Sequence, residues 1–157
     1  VSASLALRPA NTDDAARLFA WANDPVARSV SFREAPIAWE THVAWLDAAL
    51  TDPRRRLYIA ESGGEAIGTA RLDRDADDAD VAIVSLNVAP EARGRGLGRA
   101  LLDALAAEAR VLGFARLRAF VKATNDASAK AFVATGYARV ADVTIEGAAA
   151  LRFERVV

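Results

Sequence analysis

The sequence predicts an α/β (α+β) domain: a mixed, mostly antiparallel sheet of about seven strands flanked by about four helices. Three observations predict it. Short alternating apolar runs recur between turn signals such as Gly63-Gly64 and Glu146-Gly147. Four longer runs space their apolar residues by three or four, as helices packed on one face do. Between the two halves lies the turn Arg93-Gly94-Arg95-Gly96-Leu97-Gly98, which joins a strand-like run ending at Val88 to a helical run opening at Leu97.

Taken in order, Ser4 to Arg8 reads as a first strand stopped by Pro9. Thr12 or Asp13 caps a helix to about Asn23, with Ala16, Phe19 and Ala20 near one face. Asn23-Asp24-Pro25 breaks it, because the residue before a proline avoids the helical region. Val26 to Ala35 is irregular or briefly helical. A second helix runs from Pro36 to about Leu50 and presents Trp39, Val43, Leu46 and Leu50 on one stripe, with Trp45 off that line. Arg56 to Glu61 and Glu65 to Asp73 form a hairpin about Gly63-Gly64.

The acidic loop Arg74 to Asp80 leads into Val81 to Val88. Asp73, Asp75 and Asp77 copy the first ligand positions of a calcium loop. Asp78 replaces the required glycine and Val84 the terminal glutamate, so the stretch reads as a solvated hairpin tip. The third helix, Leu97 to Leu112, carries Leu97, Leu101, Leu102, Leu105 and Leu112 on or near one stripe and ends at Gly113. Leu117 to Val121 is reached by that helical crossover, so it pairs parallel to the strand ending at Val88. A short helix from Asn125 to Thr135 offers Ala129, Phe132 and Val133 for burial. Ala138 to Ile145 and Ala149 to Arg155 close the domain as a hairpin.

At 157 residues the chain is sized for one domain, residues 1–157. A formal net charge of -1 disfavours a nucleic-acid polyanion or an anionic membrane as partner. With no cysteine there is no disulfide, thiolate metal site or cysteine nucleophile, and a single histidine excludes a multi-histidine zinc site within the chain, so no metal is expected. No apolar run approaches a membrane span, and a cytoplasmic location is the default.

The glycine turn is the chemical feature. Backbone N–H groups at a helix N-terminus meet anions, and glycines remove the side chains that would block a phosphate. Arg93, Arg95 and Arg99 add positive charge. A Walker loop is excluded, because Leu97-Gly98-Arg99 stands where lysine and serine or threonine would be. A dinucleotide fold is disfavoured, because antiparallel-looking strands precede the turn. The remaining reading is a pyrophosphate on the turn with an extended arm along the neighbouring strands.

On these residues the chain resembles the GCN5-related N-acetyltransferases. Arg93, Gly96 and Gly98 match that family's acetyl-CoA signature, and Asn87-Val88-Ala89-Pro90 resembles the approach to it. Asn125, Ser128, Phe132, Gly136 and Tyr137 resemble its asparagine-bearing helix and glycine-aromatic pair. The resemblance covers nearly the whole chain. It implies the GNAT fold, with the parallel central pair splayed at the acetyl-CoA site, and direct transfer from acetyl-CoA to a primary amine in one ternary complex. It also implies that Gly94, Arg95, Gly96, Leu97, Gly98 and Arg99, with Arg93 at the rim, hold the pyrophosphate. Backbone at Leu86 and Val88 would pair with the pantetheine arm, and Asn125, Ser128 and Phe132 would lie along the cofactor. Helix capping is the other reading of Ser128 and, less so, of Asn125, and a cap can also present a ligand contact. Phe132 stands where the family often has a tyrosine and has no proton to give, while Tyr137 reads as a packing residue.

For a base, His42 has a suited intrinsic pKa, Glu40 and Glu34 are carboxylates of the same region, and Ser85 and Asn87 can order a water. The N-terminal half, including Trp21, Asn23-Asp24-Pro25, Arg28, Ser31-Phe32, Pro36-Ile37, Glu40, His42 and Trp45, resembles bacterial amino-sugar N-acetyltransferases of the pseudaminic-acid pathway. That resemblance implies a nucleotide-linked amino sugar as partner, with Trp21, Phe32, Trp39 and Trp45 as apolar walls and Arg28 or Arg33 on phosphate. Protein N-terminal (ribosomal-protein-type) acetylation, a polyamine or other small-molecule acceptor, and a non-catalytic acyl-CoA-binding domain are the alternatives. The late edge strands leave monomer and homodimer both open.

Overall fold

The computed structural model describes residues 5–157. One seven-stranded sheet in the order β1-β2-β3-β4-β5-β7-β6 organises the chain. Its strands are β1 (Leu5–Pro9), β2 (Arg55–Ser62), β3 (Glu65–Arg74), β4 (Val81–Val88), β5 (Arg116–Lys122), β6 (Ala138–Ile145) and β7 (Ala148–Val156). The helices are α1 (Ala15–Ala22), α2 (Pro25–Val30), α3 (Trp39–Thr51), α4 (Leu97–Val111) and α5 (Asp126–Ala134), one more than the sequence pattern shows. Among these described helices, none is long and apolar enough to cross a membrane.

All neighbouring strands are antiparallel except β4 and β5, the parallel pair that the crossover through α4 demands. That pair is short. It matches Val81, Ala82 and Ile83 to Arg116, Leu117 and Arg118 and then stops, although both strands continue. The sheet is therefore split from Val84 onward on one side and Ala119 onward on the other. β3 holds β4 in register through the split, from Arg74 with Ala82 to Gly68 with Val88, and β7 holds β5 throughout.

α4 seals the core by burying Leu101, Leu102, Leu105, Ala106 and Ala109 against the sheet. Each fully buried leucine contributes about 1.5–3 kcal/mol, so this helix is fixed firmly relative to β4.

Several local expectations are corrected. Pro9 is the last residue of β1 rather than its stop, and pairs with Tyr58; an edge strand tolerates its missing N–H. Ser4 lies outside the described residues. Asn11, not Thr12 or Asp13, is the first cap: its side chain accepts from the Asp13 amide at 2.8 Å, and a turn of 3-10 helix (Thr12–Asp14) precedes α1. α1 buries Leu18 and Trp21, whereas Ala16 and Ala20 stay exposed, because Phe19 turns onto Trp39 and His42 of α3. α3 starts at Trp39 and buries His42, Leu46 and Ala49, which leaves Trp39 43% exposed. The acidic stretch after β3 is a turn in which Asp75 accepts from the amides of Asp77 and Asp78.

Candidate active site at the split in the sheet

The Ala89 amide donates to the Ile67 carbonyl at 2.8 Å, just beyond the last β3–β4 pair. Backbone groups alternate sides along a strand, so Asn87 and Ser85 also turn theirs toward β3. Leu86 and Val88 then turn theirs toward the split, where β5 has left the ladder. Both are half-buried. One side of the cleft thus presents backbone donors and acceptors able to pair with an extended ligand.

Val88 feeds a short turn of 3-10 helix (Pro90–Ala92) and then the glycine segment. Gly94 and Gly96 have φ of +78° and +73°, and a Cβ at either would meet nothing within 4 Å. The conformation favours glycine, and the space outside it is open. Among the described residues, no carbonyl or side chain accepts from the amides of Gly94 to Arg99; the first claimed amide is that of Ala100, on the Gly96 carbonyl at 3.4 Å. A buried helix end with free donors would be a defect, whereas an exposed one at the positive end of a 15-residue helix suits an anion.

Arg93 is held from below. Its Nη1 lies 2.8 Å from Asp24, which also caps α2 through the Ala27 amide. Arg93 thus ties the turn to the N-terminal helices. The guanidinium, together with that amide, keeps the Asp24 carboxyl below its ordinary range. Arg95 and Arg99 are exposed beside the free amides.

Three contacts identify the face of the sheet that carries α1 to α3. Asn87 Nδ2 donates to the Trp21 carbonyl of α1 at 3.0 Å, Arg71 stacks on Trp45 of α3 at 5.4 Å, and Lys122 Nζ reaches the carbonyls of Ser29, in the last turn of α2, and Ser31, its cap. Ser85, register partner of Arg71, lies on the same face, with its Oγ 3.5 Å from Arg71 Nη2. The segment between α2 and α3 is pinned over this face by Glu34 to Lys122 at 2.7 Å and by Arg33 to Glu146 at 3.2 Å.

Several expected site residues are placed otherwise. His42 is 5% exposed, and its Nε2 lies 2.9 Å from the Ala15 carbonyl, so Nε2 carries the hydrogen. With Phe19, Trp39 and Trp45 around it, it fastens α3 to α1. Glu40 is exposed on the first turn of α3 and has no ion-pair partner among the described residues. Trp21 is 6% exposed and belongs to the core rather than to an acceptor wall. Arg28 is consumed by the chain itself, donating to the carbonyls of Ala22, Arg33 and Ala35. Arg33 is engaged with Glu146.

Phe132 is 3% exposed, stacked on Phe153 and edge-on to Tyr137, so its ring is packed in the core. Asn125 Oδ1 accepts from the Ser128 amide at 3.2 Å, which makes Asn125 the cap of α5 and Ser128 its partner. Phe32 and Trp45 are half-buried.

Gly68 escaped the sequence reading. A Cβ there would lie 2.6 Å from the Asn87 carbonyl oxygen and 3.1 Å from Val88 Cα, so this glycine lets β3 press against the end of β4 that borders the split. An isolated glycine inside an alternating strand is the signal that marks such an approach.

A seven-stranded sheet split beside a free helix N-terminus defines a protein that binds an extended anionic ligand, and the family comparison says which class. The chain matches the acetyltransferase (GNAT) family over residues 15–137. It belongs to that family, whose cosubstrate is acetyl-CoA. Solved structures share the fold along the whole chain. A ribosomal-protein-alanine N-acetyltransferase from Brucella melitensis is 26% identical, with a TM-score of 0.83 over 97% of this chain and 99% of that one. A spermidine N-acetyltransferase from Vibrio cholerae, solved with CoA and spermine, is 17% identical, with a TM-score of 0.88 over 98% and 95%. The structure of AAC(6')-Ib with ribostamycin and coenzyme A is 22% identical, with a TM-score of 0.87 over 98% and 93%.

Proposed function

We propose that this protein is an N-acetyltransferase that moves the acetyl group of acetyl-CoA directly onto a primary amine of a small molecule. The observation that carries the reading is the run of unclaimed amides from Gly94 to Arg99 beside the open backbone edge of Leu86 and Val88. The donor supplies an activated thioester carbonyl and a thiolate leaving group. The amides would hold its pyrophosphate, with Arg95 and Arg99 adding charge, and the β4 edge would pair with its amide-containing arm. An N–H of that edge next to the thioester oxygen would stabilise the negative charge that grows as the amine attacks.

A protonated amine must first lose a proton. Asn87 has its amide nitrogen on the Trp21 carbonyl and, among the described residues, nothing donates to its Oδ1. That oxygen and Ser85 Oγ are suited to hold the water that takes the proton. With His42 buried on Ala15, Glu40, an exposed carboxylate in the first turn of α3, would take the proton on from such a water. The chain has no cysteine to carry the acetyl group, so both substrates are bound together.

For the acceptor, Phe32, Trp39 and Trp45 retain surface that an amino sugar or a nucleobase would cover. The nucleotide-sugar version loses Trp21, Arg28 and Arg33 as contacts. An N-terminal peptide is the second reading, favoured by the 26% identity to a ribosomal-protein-alanine acetyltransferase. Thiol release from acetyl-CoA, measured with nucleotide amino sugars, alkyl polyamines and alanine-terminated peptides, tests the proposal. Binding of acetyl-CoA without CoA release for any amine would make this an acyl-CoA-binding domain instead.

A further inference from the structure

The register across the split sorts the charges. On the α1–α3 face, the last fully paired rung reads Asp73, Ile83, Arg118, Glu154 across β3, β4, β5 and β7. The first split rung reads Arg71 and Ser85 on one side and Phe120 and Arg152 on the other. The next reads Thr69 and Asn87, then Lys122 and Ala150. Residues in register share a face, so both split rungs carry cationic, polar or apolar side chains and no carboxylate.

The acids sit one rung lower and hold the arginines from beneath. Asp73 accepts from Arg71 Nε at 2.7 Å. Glu154 is shared by Arg118 at 2.9 Å, Arg152 at 3.4 Å and Arg116 at 3.8 Å, and Asp75 adds a contact to Arg118 at 3.5 Å. On the β7 side, three guanidiniums therefore face two carboxylates. Arg152 is the least well matched: its buried Nε faces Glu154 Oε2 at 3.4 Å without forming a hydrogen bond, and its side chain, 36% exposed, has no hydrogen bond from either terminal nitrogen among the described residues. Lys122 on the next rung is already matched by Glu34. A planar guanidinium with donors to spare, partly shielded from water, is a binding group for a carboxylate or a phosphate.

We propose that the acceptor amine carries an anionic group, a carboxylate or phosphate, that binds Arg152 on β7, with Arg71 on β3 adding positive potential from across the split. This rests on the acetyl-transfer reading and narrows its acceptor. A polyamine would meet no carboxylate on these rungs; Glu34 of the overlying segment and Glu146 of the β6–β7 turn are both engaged, which leaves Glu40 at the start of α3 as the unpaired acid, among the described residues, nearest that segment in sequence.

The test pairs acceptors that differ only in the anion: glucosamine 6-phosphate against glucosamine, and methionine against methioninamide, with spermidine as the polycation. Thiol release and calorimetric binding to the CoA-loaded protein are read together. The anionic member of a pair is expected to have a kcat/KM about tenfold or more above its neutral partner. Arg152→Gln should raise KM for that member about tenfold with little change in kcat, leave acetyl-CoA affinity intact, and spare the neutral member; Arg152→Lys should recover part of the loss. The phosphate and carboxylate arms tell the two sources of the anion apart.

Preference for spermidine or for the neutral members overturns the inference. So does an equal loss for both members of a pair in Arg152→Gln. Acetyl-CoA binding with neither binding nor turnover of an anionic probe overturns it while the donor site stands. Failure to bind acetyl-CoA overturns both readings.

Discussion

Single residues divide between those whose task is local and those whose task is set by distant packing. The turn geometry from Arg93 to Gly98 was legible because glycine spacing next to a helix start is a local constraint. The same is true of Asn125, whose side chain caps the helix that follows it. His42, Trp21 and Arg28 lie elsewhere than the sequence suggests because their residue types suit a site while their placement depends on packing that the local pattern does not show. His42 bonds a carbonyl 27 positions away. His42→Ala is therefore expected to cost about 2–3 kcal/mol from the lost hydrogen bond and aromatic packing. Its kcat/KM should keep the wild-type pH profile; a lost limb would return this histidine to the proton path.

Gly96→Asp tests the opposite kind of residue. It places a side chain at φ +73° and a negative charge where the donor's pyrophosphate would lie. Strain should cost about 1–2 kcal/mol of stability. Acetyl-CoA affinity should fall far more, by about a hundredfold, measured by calorimetry on the folded variant. Unchanged affinity would move the donor off this turn.

At the scale of elements, the strands and α4 were readable because their apolar periods repeat over at least five residues between glycines and prolines. α2 was not: six residues are too few to show a period, and it stands because Asp24 caps it and Lys122 binds the segment that follows. The parallel pairing of β4 and β5 followed from the crossover. Where the pair parts followed from nothing local, since it depends on β3 and β7 each keeping its own partner. Gly68 is the residue that fixes the β4 side of the parting. Gly68→Ala brings a methyl to 2.6 Å from a backbone oxygen, which cannot rotate away. The expected cost is about 1–3 kcal/mol. Because the displaced atoms belong to Asn87 and Val88, the KM for acetyl-CoA should also rise in the folded variant. A stability loss with unaltered kinetics would detach this stretch of β4 from the donor site.

For the whole molecule, ionisation sets the limits of stability on both sides of neutrality. On the acid side, Asp14 is 3% exposed and takes both Arg8 guanidinium nitrogens at 2.8 and 2.9 Å and the Asn11 amide at 2.9 Å. The Arg8 hydrogen bonds, against the cost of burial, hold its carboxyl below the ordinary 3.8. A depressed carboxyl contributes stability that is complete above its unfolded value and is lost as pH falls through the folded one, so loss begins near pH 4. Asp24 with Arg93 and Glu34 with Lys122 shift in the same direction, so acid also loosens the ties between the N-terminal helices, the glycine turn and β5.

On the alkaline side, both tyrosines are buried. Burial pushes Tyr58 up to about 12, and pushes Tyr137, whose hydroxyl has no hydrogen-bond partner among the described residues, further still. A raised folded value means the contribution is intact below the unfolded value of 10.0 and is lost as pH climbs through the folded one. Denaturant-derived stability should therefore stay level from about pH 5 to pH 9 and fall on either side. Phenolate absorbance should be absent from the native protein at pH 10.5 and appear together with unfolding, not before it. A smooth titration near the ordinary tyrosine value in protein that is still folded would mean that one ring lies open to solvent, and with it the seam between α4, α5 and β7 where Tyr137 is packed.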